Sequence, residues 1–140
     1  MNKALLWGGG FSLSAALLHI AIIVGGADWY RFFGAGEALA RLAEQGSPIP
    51  GAITAVIALV LLLWGLYAFA GAGLTRRLPW LKPALIAITA VYLLRGLALF
   101  PAILLAPHTI DAFLVWSSAV SLFIGMVHFS GTRQMIWEHS

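Results

Sequence analysis

Four long apolar segments alternate with short polar connections along the chain. The apolar segments cover about residues 4–25, 51–74, 83–105 and 110–130. Each is long enough for a helix to cross a hydrocarbon core about 30 Å thick, which takes roughly 20 residues. Because apolar residues follow one another without strict alternation, helices are favoured over the strands of a barrel. We predict an all-α fold, an integral membrane four-helix up-down bundle that forms a single transmembrane domain over residues 1–140.

Glycine and proline mark the ends of these predicted spans. Glycines follow the first segment at Gly25 and Gly26, and prolines stand in each of the later connections. Pro101 lies inside the third segment near its end, where we predict that it kinks the helix or ends it early.

The composition agrees with membrane insertion. The chain is 61% hydrophobic and 9% charged, too few charges for the surface of a soluble domain. Cysteine is absent, which excludes disulfides, thiolate metal sites and cysteine nucleophiles. The lysines and arginines are scattered rather than aligned on one stripe, so we expect no nucleic-acid partner.

The positions of the positive charges predict the orientation. Five lie on one side of the four spans, namely Lys3, Arg76, Arg77, Lys82 and Arg133. Two lie on the other side, Arg31 and Arg41. Since the richer side is normally cytoplasmic, we predict a multi-pass protein of the bacterial inner membrane, with both termini cytoplasmic and the loop 26–50 external.

The external loop contains a short amphipathic pattern, GEALARLAEQG. Leu39 and Leu42 are three residues apart, while Glu37, Arg41 and Glu44 occupy other positions. This predicts a short amphipathic helix, which either lies flat on the outer surface or serves as a solvated connector.

The charge at Arg95 interrupts the third span, in the sequence VYLLRGLALF. A charged side chain at that depth costs on the order of 3 kcal/mol and normally faces the bundle interior with a partner. His19, Thr54 and the segment Trp116–Ser118 reach a similar level from the other three helices, counted at about 1.5 Å per residue.

This convergence predicts a small outward-facing site beneath the first loop, whose sequence GGADWYRFFGAGE would act as both anchor and lid. The predicted ligand-binding residues are Arg95, His19, Tyr92, Trp29, Tyr30, Glu37, Asp28, Trp116 and Ser117.

Each of these residues also has a structural interpretation. Arg95 can snorkel outward and pair with Asp28, Glu37 or Asp111. His19 can be a satisfied core histidine, and the loop aromatics can form an interfacial belt. Two stripes of small residues favour close helix packing; they are Gly8, Ser12, Ala15 or Ala16 and His19, and Ser118, Ser121, Gly125 and His128.

A metal or cofactor is not expected. His108 and Asp111 could join His19 around a metal only if their loop folded inward. His128 lies well over 20 Å from His19 along the membrane normal by residue count, which disfavours a haem held by both.

The stretch GGADWYRFFGAGE together with Tyr92-x-x-Arg95-Gly96 resembles small four-helix bacterial inner-membrane proteins to which no activity is assigned. The resemblance implies the four-span architecture and carries no function. The DoxX-like and sterol-isomerase-like families share that architecture, but no residue motif places the chain in either.

Three classes of function follow. The first is a binding or transport-accessory protein that holds an anionic or amphipathic small molecule or lipid at Arg95 and His19. The second is a structural subunit of a larger membrane complex or a homo-oligomer, whose small-residue faces meet partner helices. The third is a membrane enzyme that uses His19 as acid or base.

Single cysteines test the orientation, because the chain has none of its own. Ser47→Cys lies in the predicted external loop, and Thr75→Cys lies on the predicted cytoplasmic side. In intact cells, a membrane-impermeant maleimide should label S47C and reach T75C only after the membrane is opened. Labelling of S47C from the cytoplasmic side alone would contradict the whole arrangement.

Overall fold

The fold is all-α over the residues that the structure, a computed structural model, describes: 1–33 and 37–138. Seven α-helices follow in order, α1 (Lys3–Gly25), α2 (Ala27–Phe32), α3 (Glu37–Glu44), α4 (Ile49–Ala72), α5 (Leu81–Leu97), α6 (Leu99–Leu105) and α7 (Ala112–Glu138). One 3₁₀ turn, Pro107–Thr109, connects α6 to α7. The predicted helical class is therefore confirmed.

Four helical segments are long and apolar enough to cross a membrane: α1, α4, α5 together with α6, and α7. At most 28% of the apolar window of each segment is buried within the protein. Large apolar side chains such as Val24, Leu104 and Leu105 are more than 80% exposed. Apolar surface on this scale is typical of helices that face lipid, so a multi-pass membrane protein is suggested.

Three helix boundaries differ from the sequence prediction. Residues Ala27–Phe32, placed in the external loop with no helix of their own, form the short helix α2. The third span breaks into α5 and α6 at Ala98, one turn before Pro101, because proline has no N–H to donate to the carbonyl of residue 97. Helix α7 continues eight residues past the predicted end at 130, and Gly131, Thr132 and Met135 are buried there.

The chain divides into two compact units, and each is described by itself. The first comprises Met1–Phe11 with Trp64–Ser140, and the second comprises Ser12–Leu63.

The first unit is organised by the antiparallel packing of α5 on α7. A Cβ atom built on Gly96 would lie 2.6 Å from the Cβ and 2.7 Å from the Cα of Leu122. One turn away, a Cβ on Gly125 would lie 2.8 Å from Leu93. Glycine at both positions therefore lets the two backbones approach more closely than any other residue would.

The beginning of α1 is held in the same unit by Asn2, which is buried. Its amide oxygen accepts the N–H of Leu5 at 3.1 Å and so caps α1. Its amide nitrogen donates to the carbonyl of Gly131 at 2.7 Å, and its backbone N–H donates to the carbonyl of Ala72. One side chain and its backbone thus join α1 to the ends of α4 and α7.

The second unit has a small core formed by Ile22, Tyr30 and Ala40. Helices α2 and α3 pack against each other, and α3 buries Ala40 while Glu37 and Arg41 stay exposed. The predicted short helix in the first loop is therefore present. The Thr54 hydroxyl donates to the carbonyl of Pro50 at 2.8 Å, so the Tyr30 hydroxyl, 3.4 Å from it, donates to the Thr54 oxygen and ties α2 to α4.

Gly96→Ala should destabilise the protein, because the added methyl meets the backbone of Leu122 and cannot be accommodated by a rotamer change. We expect a loss of about 1–3 kcal/mol in the free energy of unfolding. The measurement is equilibrium unfolding in mixed micelles, followed by tryptophan fluorescence.

Gly10→Ala is the matched control, since nothing lies within 4 Å of a Cβ built on Gly10. This change should leave stability unchanged or raise it slightly, because alanine favours helix more than glycine does. Equal losses in the free energy of unfolding for both variants would mean that close packing at Gly96 does not stabilise the contact between α5 and α7.

Candidate functional site

Arg95 is positioned by α5 and held by two neighbouring serines of α7. Its Nη1 donates to the Oγ of Ser118 at 2.8 Å, and its Nη2 donates to the Oγ of Ser117 at 2.9 Å. Gly96, the next residue, is where α5 lies directly against the backbone of Leu122 in α7. The guanidinium thus reaches two polar groups on another helix, and both of these described partners are neutral. Arg95 is nevertheless exposed, so the expectation that it faces the bundle interior was wrong.

The first turns of α7 fix the serines in place. The Asp111 carboxylate accepts the backbone N–H of Leu114 at 2.7 Å and caps the helix. The Ser117 hydroxyl donates to the carbonyl of Leu114 at 3.3 Å, which leaves its oxygen to accept from Arg95. Asp111 therefore serves as a helix cap, rather than as the counter-ion that the snorkelling interpretation proposed.

The Arg95 guanidinium has unused donor capacity. A guanidinium carries five N–H groups, and two of them reach the serines, so three have no described partner. Within its own unit, no described carboxylate forms an ion pair with it. Arg95 is exposed, whereas Ser118 is buried. The arrangement presents a fixed cation that can bind an anionic group with two accepting oxygens, such as a carboxylate or phosphate.

The two predicted aromatic neighbours differ in position. Trp116 is 56% exposed, and its ring lies 6.2 Å from that of Phe113. Tyr92 is buried, with its ring centroid 5.1 Å from Trp64 and 5.0 Å from His128. Trp116 is thus accessible to a ligand, while Tyr92 is part of the core of the first unit, about one turn before Arg95 along α5.

His128 is the most buried polar side chain of the first unit and has one unpaired atom. Its Nδ1 lies 2.9 Å from the carbonyl of Ile124 and must carry the proton to donate there. Its Nε2 is buried and has no hydrogen-bond partner among the described residues. A Cβ on Gly8 would lie 2.9 Å from the imidazole, so glycine is required opposite the ring.

In the second unit, three acidic side chains converge on Arg31, and two of them, Asp28 and Glu37, were predicted to bind a ligand. Glu37 accepts two hydrogen bonds from it, at 2.9 Å from Nε and 3.0 Å from Nη2. Glu44 pairs with it at 2.6 Å and Asp28 at 3.4 Å. Hydrogen bonds donated by Arg31 lower the pKa of Glu37 below its usual value. The hydrogen bonds that Arg31 donates to Glu37 and Glu44 in turn raise the pKa of Arg31.

The cluster of three carboxylates around Arg31 was not predicted from the sequence, although Asp28 and Arg31 stand three residues apart on one helix and the spacing alone predicts a pair. The convergence of Glu37 and Glu44 on the same guanidinium depends on how α2 packs against α3. That packing has no signature in the sequence.

The remaining predicted residues of the second unit have local partners or are exposed. His19 Nδ1 lies 2.7 Å from the carbonyl of Ala15, one helical turn away. Tyr30 is buried, as expected for at least one aromatic of the opening loop, whereas Trp29 is 42% exposed. Asp28, Trp29, Phe32 and Phe33 line a shallow aromatic cleft of about 380 Å³. Residues 34–36 of the anchor and lid lie outside the described residues.

Among the residues described, no three histidine, aspartate or glutamate side chains are grouped closely enough to hold a metal ion. No protein-family model, curated protein or solved structure matches the chain.

Glu37→Gln should loosen α3, because it removes the two charge-assisted hydrogen bonds to Arg31. We expect backbone amides of residues 37–44 to exchange with deuterium roughly two- to fivefold faster, the range typical of exposed pairs. Hydrogen exchange with mass spectrometry measures this. Asp28→Asn is the control and should change little, since its contact is 3.4 Å and its side chain is 94% exposed.

The same pairing predicts a pH dependence. The pKa of Glu37 is lowered in the folded protein, so its contribution to stability is present above the unfolded value of about 4.3. That contribution is lost as the pH falls through the lower folded value. In the wild type, protection of α3 should therefore decrease on acidification, while E37Q should lack this step. A step of equal size in E37Q would assign it to another carboxylate.

Proposed function

We propose that the protein is a small inner-membrane binding or transport-accessory protein that holds an anionic amphipathic molecule, a small molecule or a lipid, at Arg95. The observation that carries this proposal is the arginine itself. Its guanidinium is fixed by Ser117 and Ser118, has no carboxylate partner among the described residues of its unit, and is exposed. A charge inside an apolar span without a counter-ion favours an anionic ligand, because an anion would offset its cost.

The geometry suits a headgroup with two oxygens. The two serine bonds orient the plane of the guanidinium before a ligand arrives, which reduces the entropy lost on binding. The unused N–H groups can bind a carboxylate or phosphate at two points. Leu94, Val115 and Trp116 are exposed on the same turns, so the apolar part of an amphipathic ligand would find apolar surface beside the cation.

The proposed topology places this site in the outer half of the membrane. In an up-down bundle with both termini cytoplasmic, α5 begins inside. Arg95 lies 14 residues after Leu81, which is roughly 21 Å along the helix. Ser117 and Ser118 come five and six residues after the outer start of α7. The proposal depends on these three residues of the first unit alone.

A structural-subunit function is less well supported by the packing. The small residues that were candidates for contact with a partner helix already contact helices of this chain. Gly8 lies against His128, Gly96 against Leu122, and Gly125 against Leu93. Those stripes are consequently unavailable to another protein, and a complex would have to use a different face.

Arg95→Leu should abolish selective binding of an anionic amphiphile. Oleate and its neutral counterpart oleyl alcohol are suitable probes, with binding measured by native mass spectrometry of the detergent-solubilised protein. We expect the wild type to prefer oleate by about tenfold or more, the range of a charged hydrogen bond. R95L should lose this preference, and Arg95→Lys should retain part of it, because an ammonium lacks the planar fork.

Arg77→Leu is the control for a general loss of positive charge, since Arg77 lies in the connection between α4 and α5. It should preserve the preference for oleate. Unchanged oleate binding by a folded R95L protein would refute the proposal. If R95L has reduced thermal stability but an unchanged preference for oleate, Arg95 stabilises the fold and does not bind the ligand.

A further inference from the structure

A second basic position lies at the other end of the α5–α7 pair, beside an apolar groove. The groove encloses about 390 Å³, within the usual range of small-molecule sites. Its walls include Ala90 and Leu93 from α5, and Phe129 and Trp137 from α7. Ala90, Phe129 and Trp137 are exposed in the protein, so the groove opens on the face that the spans present to lipid.

The floor of the groove has little hydrogen-bonding capacity to offer. Thr89 and Thr132 line it, but both are buried and their hydroxyls bond to each other at 3.4 Å. A ligand that depended on hydrogen bonds would find few partners there. An alkyl chain would cover the exposed apolar surface without burying an unpaired polar group.

Among the described residues that line the groove, Arg133 is the one that carries a charge. It is exposed, and no described residue forms a hydrogen bond or ion pair with its guanidinium. Arg133 lies 21 residues after the start of α7 at Ala112, roughly 31 Å along the helix. A hydrocarbon core is about 30 Å thick, so the cation falls at the level of the headgroups. Trp137 is one turn further on, in the interfacial position that tryptophan favours.

We propose that this groove binds an anionic phospholipid, with one acyl chain along α5 and α7 and the phosphate on Arg133. Charge complementarity selects this occupant, because an apolar groove with a single unpaired cation at its interfacial end matches a lipid with a negative headgroup. An apolar partner helix would leave Arg133 without a counter-ion. The site is separate from Arg95, which lies near the opposite end of α5.

The test uses the full-length protein in mild detergent and two phospholipids with identical acyl chains, phosphatidylglycerol and phosphatidylcholine. Native mass spectrometry measures how much of each is retained. We expect the wild type to retain phosphatidylglycerol about five- to tenfold better. Arg133→Gln should reduce this to the level of phosphatidylcholine. Ala90→Phe should lower the binding of both lipids, since the new ring fills the groove at an exposed position.

Arg77→Gln is the control for charge outside the groove, and it should keep the preference for phosphatidylglycerol. The proposal is overturned if R133Q keeps that preference, or if R77Q loses it to the same extent, which would indicate a diffuse surface-charge effect. It is also overturned if the wild type retains neither lipid and instead forms a dimer that A90F disrupts. Loss of the phosphatidylglycerol preference in R133Q with the preference for oleate intact would separate this site from the one at Arg95.

Discussion

The close approach of α5 and α7 is the constraint on which the rest of the first unit depends. Gly96 and Gly125 remove the two side chains that would otherwise separate these helices. In lipid, apolar surface gives helices little reason to associate, so tight van der Waals contact has to supply the attraction. The same approach brings two serines of α7 within hydrogen-bond distance of Arg95. Without it, the charged group would have no polar partner on α7.

The three arginines with the most informative surroundings illustrate three ways to place a cation. Arg31 is surrounded by carboxylates outside the spans, and its charge is compensated by Glu37, Glu44 and Asp28. Over the described part of the chain, Arg95 has only hydroxyl partners, which satisfy hydrogen bonds but do not neutralise the charge. Arg133 has no described partner and stands at the end of an apolar groove. Compensation decreases along this series, so the capacity to attract an external anion increases.

Much of the architecture was predictable because its signals are local. Long apolar runs, Gly25 and Pro101 identified the four spans, although the break fell at Ala98, and the pattern around Leu39 identified α3. Helix α2 was not predicted, because its six residues carry no apolar periodicity. The end of α7 was placed at 130 because Thr132 and Arg133 are polar. Burial of that turn against Leu5 and Asn2 depends on tertiary contacts that no local pattern encodes.

The candidate site was predictable in part, for the same physical reason. A charge within an apolar span requires a polar partner, which directed attention to Arg95 and to the serines at its depth. The sequence could not distinguish a serine partner from an acidic one, because counting residues gives depth but not the rotation of a helix. Rotation is fixed here by Gly96, which turns the neighbouring Arg95 toward α7. Gly96 has no side chain to bind a ligand, and it nevertheless determines which partners the Arg95 guanidinium reaches.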